Sequence, residues 1–285
     1  MSRVAWLNAA LFAVVAALGT FVYFKPAKDA PADYPLSALK PAEAKTIRIE
    51  RTGAAPMVLE QKQNAWFLVA PFAARGEEAH LQRLLEMLEA RSAHRLAATD
   101  LARFGLDAPQ ARVTIGGQAF GFGMVSPVAR EQYVLTNGAV FAVHPRYGTA
   151  LPARAAELAS RRLFGPGETP VRVALADFTV EQRDGKWRQT PDAKDSSQDD
   201  FAKWIEAWRN ATALQVEPHA GAKPPSEIRI ALKEGGALTL GLLAREPQLV
   251  LLRPDEKLQY YFRPEIAKRL LSPPDAARDG RKGRN

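Results

Sequence analysis

After its first 42 residues, the chain repeats one pattern of strands and a helix with a period of about 120 residues. The first copy begins with IRIER at 47–51 and MVLEQKQNAWFL at 57–68, and the second with VRVAL at 171–175 and FTVEQRDGKWRQT at 178–190. Each longer segment alternates, carries a polar two-residue turn and has a Trp after the turn, which is typical of a β-hairpin. A proline follows each hairpin. The repeat predicts a chain built from two copies of one structural unit.

Each predicted hairpin is followed by a helix with one apolar stripe. Four apolar residues stand at i, i+3, i+4 and i+7 in each copy, and the second set lies 120 positions after the first: Leu81, Leu84, Leu85 and Leu88, then Phe201, Trp204, Ile205 and Trp208. Ser197, with Asp200 three residues later, is a variant of the capping box and marks the start of the second helix. Both helices are expected to pack on a sheet.

The later strands also correspond between the copies. Segment 111–124 matches 227–244, segment 132–145 matches 248–264, and short helices are predicted at 151–164 and 264–271. We therefore predict an α+β fold: a tandem duplication of a β-β-α-β-β-β-β-α unit, with mostly antiparallel sheets and helices on one face. The first repeat covers 43–168 and the second covers 169–272.

The N-terminal segment has the pattern of a membrane span. Residues 4–24 include no charged side chain, and at 1.5 Å per residue a helix of that length crosses the hydrocarbon core of about 30 Å. We predict a transmembrane anchor at 1–25, a Pro-rich linker at 26–42 and a disordered basic tail at 273–285. A cleaved secretory signal and a buried core helix are the alternatives.

Composition excludes several classes of site. The chain has no Cys, which removes disulfides, thiolate metal sites and a Cys nucleophile. The formal net charge of +8 is spread along the chain, so we predict no nucleic-acid partner. His80, His94, His144 and His219 lack the spacing of metal ligands, and no Gly-x-Ser-x-Gly motif is present. We predict no catalytic residue, no metal site and no small-molecule cofactor.

Three further patterns have simple structural interpretations. The glycines of GGQAFGFG at 116–123 lie between two alternating strands, so they predict a hairpin turn and not a phosphate-binding loop. The acidic residues of DAKDSSQDDF at 192–201 precede a helix, where the helix dipole favours them. Trp204 and Trp208 lie on an apolar stripe and are expected in the core.

One surface patch is a candidate for partner contact. In QYYFRP at 259–264, strand alternation places Tyr260 and Phe262 on one face and Tyr261 and Arg263 on the other. Tyr and Arg are favoured at interfaces. Tyr261 and Arg263 are therefore the predicted contact residues.

The chain resembles the bacterial family known as domain of unknown function 4340. The resemblance rests on the N-terminal apolar segment, on Trp66 before Pro71, on the Leu-rich helix that follows, and on DLARFGLDAP at 100–109 before the strand RVTI. It covers roughly residues 43–270, and the second copy departs from it with HAGAKPPSE at 219–227. The resemblance implies no established activity and no catalytic residues, but an auxiliary role beside ABC-transporter-type gliding and export proteins.

These observations predict a non-enzymatic, membrane-anchored binding or scaffolding module of the bacterial cell envelope. It is expected as a single-pass protein of the inner membrane with its soluble domain in the periplasm, in contact with an envelope protein. An auxiliary part of an ABC-type transport or envelope-assembly complex fits this pattern. The alternative is a glycan- or lipid-handling enzyme or binding protein whose carboxylates meet only in the fold.

Overall fold

The computed structural model describes residues 3–24, 33–192 and 196–274. The fold is mixed α+β with few helices, and every strand pairing within these ranges is antiparallel, which confirms the predicted class. The predicted tail at 273–285 lies outside the described residues from position 275 onward. The predicted linker at 26–42 lies outside them up to position 32.

A long helix, α1 (Arg3–Phe24), precedes the sheets. The large apolar side chains described on it, such as Trp6 and Phe12, are exposed. Among the residues that the structure describes, no helix combines the length and apolar character needed to cross a membrane. The membrane anchor predicted at 1–25 stays a prediction.

A nine-stranded sheet lies in the first half of the chain, for which we keep the bounds 43–168. The strands up to this half's end are β1 Tyr34–Pro35, β2 Thr46–Arg51, β3 Met57–Lys62, β4 Ala65–Ala70, β5 Ala74–Arg75, β6 Arg91–Ser92, β7 Arg95–Ala97, β8 Ala111–Ile115, β9 Gln118–Val125, β10 Gln132–Thr136 and β11 Ala139–Val143. The helices are α2 Glu78–Leu85 and α3 Arg146–Thr149, with 3-10 turns at Pro41–Glu43, Glu86–Glu89, Leu101–Phe104 and Ala155–Leu158. The sheet order is β5-β4-β3-β2-β8-β9-β10-β11-β7, and β1 pairs separately with β6.

An eight-stranded sheet lies in the second half, 169–272. Its elements are β12 Pro170–Ala174, β13 Thr179–Arg183, β14 Lys186–Thr190, α4 Gln198–Arg209, β15 Gln215–Pro218, β16 Ser226–Leu232, β17 Ala237–Ala244, β18 Leu249–Arg253, β19 Leu258–Phe262 and α5 Pro264–Leu271. The order is β14-β13-β12-β16-β17-β18-β19-β15. Apart from β5, the two sheets have corresponding orders, and Pro71 and Pro191 both follow a cis peptide bond.

The observed element order is longer than the predicted β-β-α-β-β-β-β-α unit. In the second half, three strands precede α4 and five strands lie between α4 and α5. The predicted unit has one strand too few on each side of the helix. One reason is that the predicted unit counts each Trp-containing hairpin as one strand, whereas each hairpin forms two strands. The other is that β7 and β15 are too short to give a clear alternating pattern.

The helix predicted at 151–164 does not form. Only the 3-10 turn Ala155–Leu158 is helical there. The segment 158–163, which starts at the last residue of this turn and forms isolated β-bridges at Ala159 and Arg162, is called the strap. The strap hydrogen-bonds to both halves: Glu77 N to Leu158 O, Ser160 N to Arg75 O, Leu163 N to Ala211 O and Ala213 N to Arg161 O, at 2.7–2.9 Å. These long-range backbone hydrogen bonds outweigh the local helix preference.

Most buried apolar side chains of the two halves form one continuous core, and Phe104, Leu106 and Val140 form a second, smaller cluster. The predicted stripe of α2 and its 3-10 extension is buried, and so is the stripe of α4, which confirms both assignments. The indole N–H groups of Trp204 and Trp208 donate to the carbonyls of Ser272 and Leu270, at 2.9 and 3.2 Å. These bonds fix the C-terminal end of α5 against α4.

Candidate functional site

The strap brings two largely buried arginines together between the halves. Arg75 ends β5 in the first sheet, and Arg253 ends β18 in the second. The side chain of Arg253 is 3% exposed and that of Arg75 is 19% exposed. Because taking a charge out of water costs several kcal/mol, each guanidinium must be paired in the folded state.

Arg253 is paired on every side of its guanidinium group. Its Nη1 and Nη2 donate to the two carboxylate oxygens of Glu168, at 2.8 and 3.0 Å. Nη2 also donates to Asp255 Oδ2 at 2.6 Å, and Nη1 donates to the carbonyl of Leu163 at 2.7 Å. Arg253 therefore ties the second sheet to the strap and to the segment that follows it.

Arg75 completes this arrangement from the first half. Its Nε donates to Glu256 Oε1 at 2.6 Å, and its Nη2 donates to the Tyr260 hydroxyl at 3.1 Å and to the carbonyl of Arg162 at 2.8 Å. The Tyr260 hydroxyl donates to Glu256 Oε2 at 2.5 Å. We call the set of Arg75, Glu168, Arg253, Asp255, Glu256 and Tyr260 the ionic cluster.

Two carboxylates of the ionic cluster, those of Glu168 and Asp255, have lowered pKa values. Burial acts to raise the pKa of Glu168, but hydrogen bonds from Arg253 and from the Gly165 N–H hold that pKa below its ordinary value. Burial likewise acts to raise the pKa of Asp255, and the hydrogen bonds and charge of Arg253 hold it below its ordinary value. Burial, with the negative charge of Glu256, raises the pKa of the Tyr260 hydroxyl. At neutral pH Glu168 and Asp255 are therefore ionised and the Tyr260 hydroxyl is protonated.

Two adjoining cavities lie beside the strap and are lined by both halves. Their volumes are about 490 and 450 Å³. Arg161 and Leu214 line both cavities, so we treat them as one feature, the junction groove. Its lining includes four arginines, three glutamates and two exposed or half-buried large apolar residues: Arg83, Arg154, Arg161, Arg263, Glu77, Glu157, Glu265, Leu214 and Ile266.

Two of the groove arginines are paired and two are not. Arg154 Nη1 lies 3.1 Å from Glu217 Oε1, and Arg161 Nε lies 3.7 Å from Glu77 Oε2. Within the described ranges, the side chains of Arg83 and Arg263 make no ion pair or hydrogen bond and are exposed. The groove therefore presents two uncommitted guanidinium groups beside an apolar surface.

The structure places the two predicted contact residues differently. Arg263 immediately precedes α5, is exposed and lines the junction groove. Tyr261 is half-buried in β19, and its hydroxyl donates to Gln259 Oε1 at 2.8 Å, outside the groove lining. Tyr260 and Phe262 are buried on the opposite face, as strand alternation predicts.

The other groove residues were not predicted from the sequence. Arg83, Arg154 and Arg161 belong to different segments of the first half, and Leu214 to the second. No motif or spacing connects them, because only the strap brings these segments together. A weaker sequence signal existed for the ionic cluster, where the charged run at 253–257 lies between two strands.

The remaining sequence candidates have local structural roles. The Gly116–Gly117 pair forms the turn between β8 and β9, which confirms the hairpin interpretation of 116–123. His80 Nε2 lies 2.8 Å from the carbonyl of Ala150. In the parts of the chain that the structure covers, no three His, Asp or Glu side chains are grouped closely enough to hold a metal ion.

A family model described as Domain of unknown function (DUF4340) matches residues 66–218, more than half of the chain. The chain belongs to the DUF4340 family. The DUF4340 match begins at Trp66 in β4 and ends at Pro218 in β15, so it includes parts of both halves and the whole strap. Arg253 and Arg263 lie beyond it. The chain matches no curated protein and no solved structure.

Proposed function

We propose that this DUF4340 chain is a membrane-anchored, non-enzymatic module of the bacterial cell envelope that binds a protein partner in the junction groove. It serves as an auxiliary part of an ABC-type transport or envelope-assembly complex. The observation that carries this proposal is the groove, which both halves line together and which combines uncommitted arginines with the exposed side chain of Leu214. Arg is among the residue types that contribute most to binding at protein interfaces, and covering exposed aliphatic surface such as that of Leu214 is favourable.

The proposal includes an origin by tandem duplication. It is supported by the corresponding strand orders of the two sheets and by the identical apolar spacing of α2 and α4, 120 positions apart. After duplication, two similar halves share one continuous core and one strap. The groove lies where the two halves meet, so a single copy of the unit would not form it.

The proposal also places α1 in the inner membrane and both sheets in the periplasm. It is supported by the uncharged run at 4–24 and by the exposure of side chains such as Trp6 and Phe12. The chain is truncated after residue 271 and fused there to a reporter enzyme that is active only outside the cytoplasm. We expect this reporter to be active. Activity of a reporter that works only in the cytoplasm would overturn this orientation.

The ionic cluster favours binding over the enzymatic alternative. Acid–base catalysis on a glycan or lipid requires a carboxyl group with a raised pKa near the substrate. In the cluster, arginine holds the pKa values of Glu168 and Asp255 below their ordinary range. These carboxylates are poor proton donors at neutral pH; Glu168 ties Arg253 of the second half to the end of the first, and Asp255 pairs with the same guanidinium group.

Site-specific crosslinking of the full-length chain in its native membrane tests the proposal. A photo-reactive amino acid replaces Leu214 in the groove, and a matched control replaces Val128, which is 92% exposed on the loop between β9 and β10. We expect position 214 to capture one protein reproducibly and position 128 not to capture it. Absence of a reproducible product at position 214 contradicts partner binding in the groove.

A further inference from the structure

We infer that the junction groove receives an acidic, extended segment of the protein partner. Carboxylates of that segment bind Arg83 and Arg263, and an apolar side chain packs on Leu214 and Ile266. This inference rests on the proposed function and adds the chemistry of the partner. It is argued from the charges in the groove, the exposed apolar surface and the rigidity of the walls.

The acidic groups in and beside the groove are largely committed to internal partners. The carboxylate of Glu77 accepts a hydrogen bond from the backbone N–H of Arg161 at 3.0 Å, and that of Glu157 accepts one from the backbone N–H of Ala153 at 3.1 Å. Glu217 pairs with Arg154. Glu265 lies in the first turn of α5, where the helix dipole offsets part of its charge. The negative groups therefore leave Arg83 and Arg263 available.

An available guanidinium group selects carboxylates over most other protein groups. Its planar donors match the two oxygens of a carboxylate, and the resulting hydrogen bonds are about twice as strong as neutral ones. Arg83 lies in one cavity and Arg263 in the other, with Arg161 and Leu214 shared between them. A partner that satisfies both arginines must span both cavities, which an extended segment can do.

The apolar surface in the groove with Arg83 and Arg263 sets a second requirement for the partner segment. Leu214 is 42% exposed, and Ile266 is half-buried. Covering exposed aliphatic surface is favourable by roughly 25 cal/mol per Å². An acidic segment with an apolar side chain between its carboxylates is therefore favoured over a purely acidic one.

The walls of the groove are held before a partner arrives. Ala213 N donates to Arg161 O at 2.8 Å, and Leu214 N donates to Tyr261 O at 2.7 Å. The ionic cluster anchors the strap close to the same place through the carbonyls of Arg162 and Leu163. Walls that are already ordered reduce the entropy lost on binding.

The chain's own C-terminal segment has the wrong charge for this groove. Residues 275–285 contain four basic side chains and two acidic ones. Basic groups are repelled by Arg83 and Arg263. Charge complementarity therefore favours an acidic partner segment over self-binding.

The first test uses defined peptides with the full-length chain in nanodiscs. A fluorescent peptide of alternating Glu and Leu is compared with a Lys–Leu peptide of the same length by fluorescence anisotropy. We expect saturable binding of the Glu–Leu peptide only, weakened about tenfold by the double variant Arg83→Glu, Arg263→Glu, as two partly exposed ion pairs predict. Arg229→Glu, an exposed control outside the groove, is expected to change nothing. Equal binding of both peptides, or no effect of the double variant, overturns the inference.

The second test repeats the crosslinking at position 214 in the same variants. Loss of most of the product in the double variant, with the product unchanged in Arg229→Glu, supports an acidic segment. An unchanged product in the double variant overturns the acidic segment but leaves the proposed function standing. If position 214 crosslinks to phospholipid and not to protein, the inference is wrong, and so is the proposed function.

Discussion

Arg253 and Glu168 form a bidentate ion pair in which two guanidinium nitrogens donate to the two carboxylate oxygens, at 2.8 and 3.0 Å. Glu168 belongs to the segment between the strap and β12, and Arg253 ends β18. Their contact fixes how the connection between the halves lies on the second sheet. Arg75 extends the same network to the first sheet, so both sheets hold the strap directly after Arg161 of the junction groove.

Glu168→Gln is expected to destabilise the protein strongly. The substitution leaves the buried charge of Arg253 with less compensation, and loss of one partner of a buried pair costs about 3 kcal/mol or more. Urea unfolding of the full-length chain in detergent, followed by Trp fluorescence, measures this loss. The control Glu50→Gln removes the exposed pair with Arg48 and should cost less than about 1 kcal/mol. Similar losses in the two variants would mean that the cluster does not stabilise the fold.

Stability is expected to fall at acid pH because of the same cluster. The folded-state pKa values of Glu168 and Asp255 are lowered, so their contribution is complete above the unfolded-state value of about 4 and is lost as the pH falls through the folded-state pKa. Urea midpoints measured between pH 7 and pH 3 should drop more steeply in the native chain than in Glu168→Gln. Identical pH profiles would contradict this assignment.

Gln198→Ala is expected to open a sheet edge. The backbone N–H of Trp187, in the edge strand β14, donates to Gln198 Oε1 at 2.7 Å, and Gln198 Nε2 donates to the backbone carbonyl of Trp187 at 2.8 Å. The side chain thus occupies the place of a neighbouring strand. Its removal should cost about 1–2 kcal/mol and promote edge-to-edge association, detected by sedimentation velocity. Gln182→Ala on β13 is the control, and equal association of both variants would exclude a protective role for Gln198.

Gly123→Ala is expected to disturb the loop at 100–109. A Cβ at position 123 would lie 2.2 Å from the carbonyl oxygen of Phe104 and 2.9 Å from Leu106 Cγ, so this loop must move away from β9. Overpacking of this kind typically costs about 1–3 kcal/mol. At Gly121 on the same strand, the nearest atom would be 3.7 Å away, on Pro109. Thermal unfolding should therefore show a lower Tm for Gly123→Ala than for Gly121→Ala, and equal values would refute the close approach.

The local elements were predictable because their signals lie within a few residues. Asn137 and Gly138, a pair that is typical of type I′ hairpin turns, both have positive φ, 47° and 69°, as such a turn requires. Ser197 and Asp200 form the predicted capping box, with Ser197 N donating to Asp200 Oδ2 at 3.0 Å. The candidate site was predictable only at Arg263, which strand alternation placed on the face opposite Tyr260 and Phe262. Tyr261 has its hydroxyl turned towards Gln259, a contact that alternation does not specify.

The sequence by itself determined the hairpins, the two apolar helix stripes and the mixed α+β class, because turn chemistry and hydrophobic periodicity act over short distances. The tertiary structure decided the path of the strap, which had the composition of a helix but hydrogen-bonds to both halves instead. It also decided the partners of Arg75 and Arg253, which lie 178 positions apart. Each buried guanidinium group needs a carboxylate partner, Glu256 for Arg75 and Glu168 for Arg253, and no local pattern specifies which residues meet.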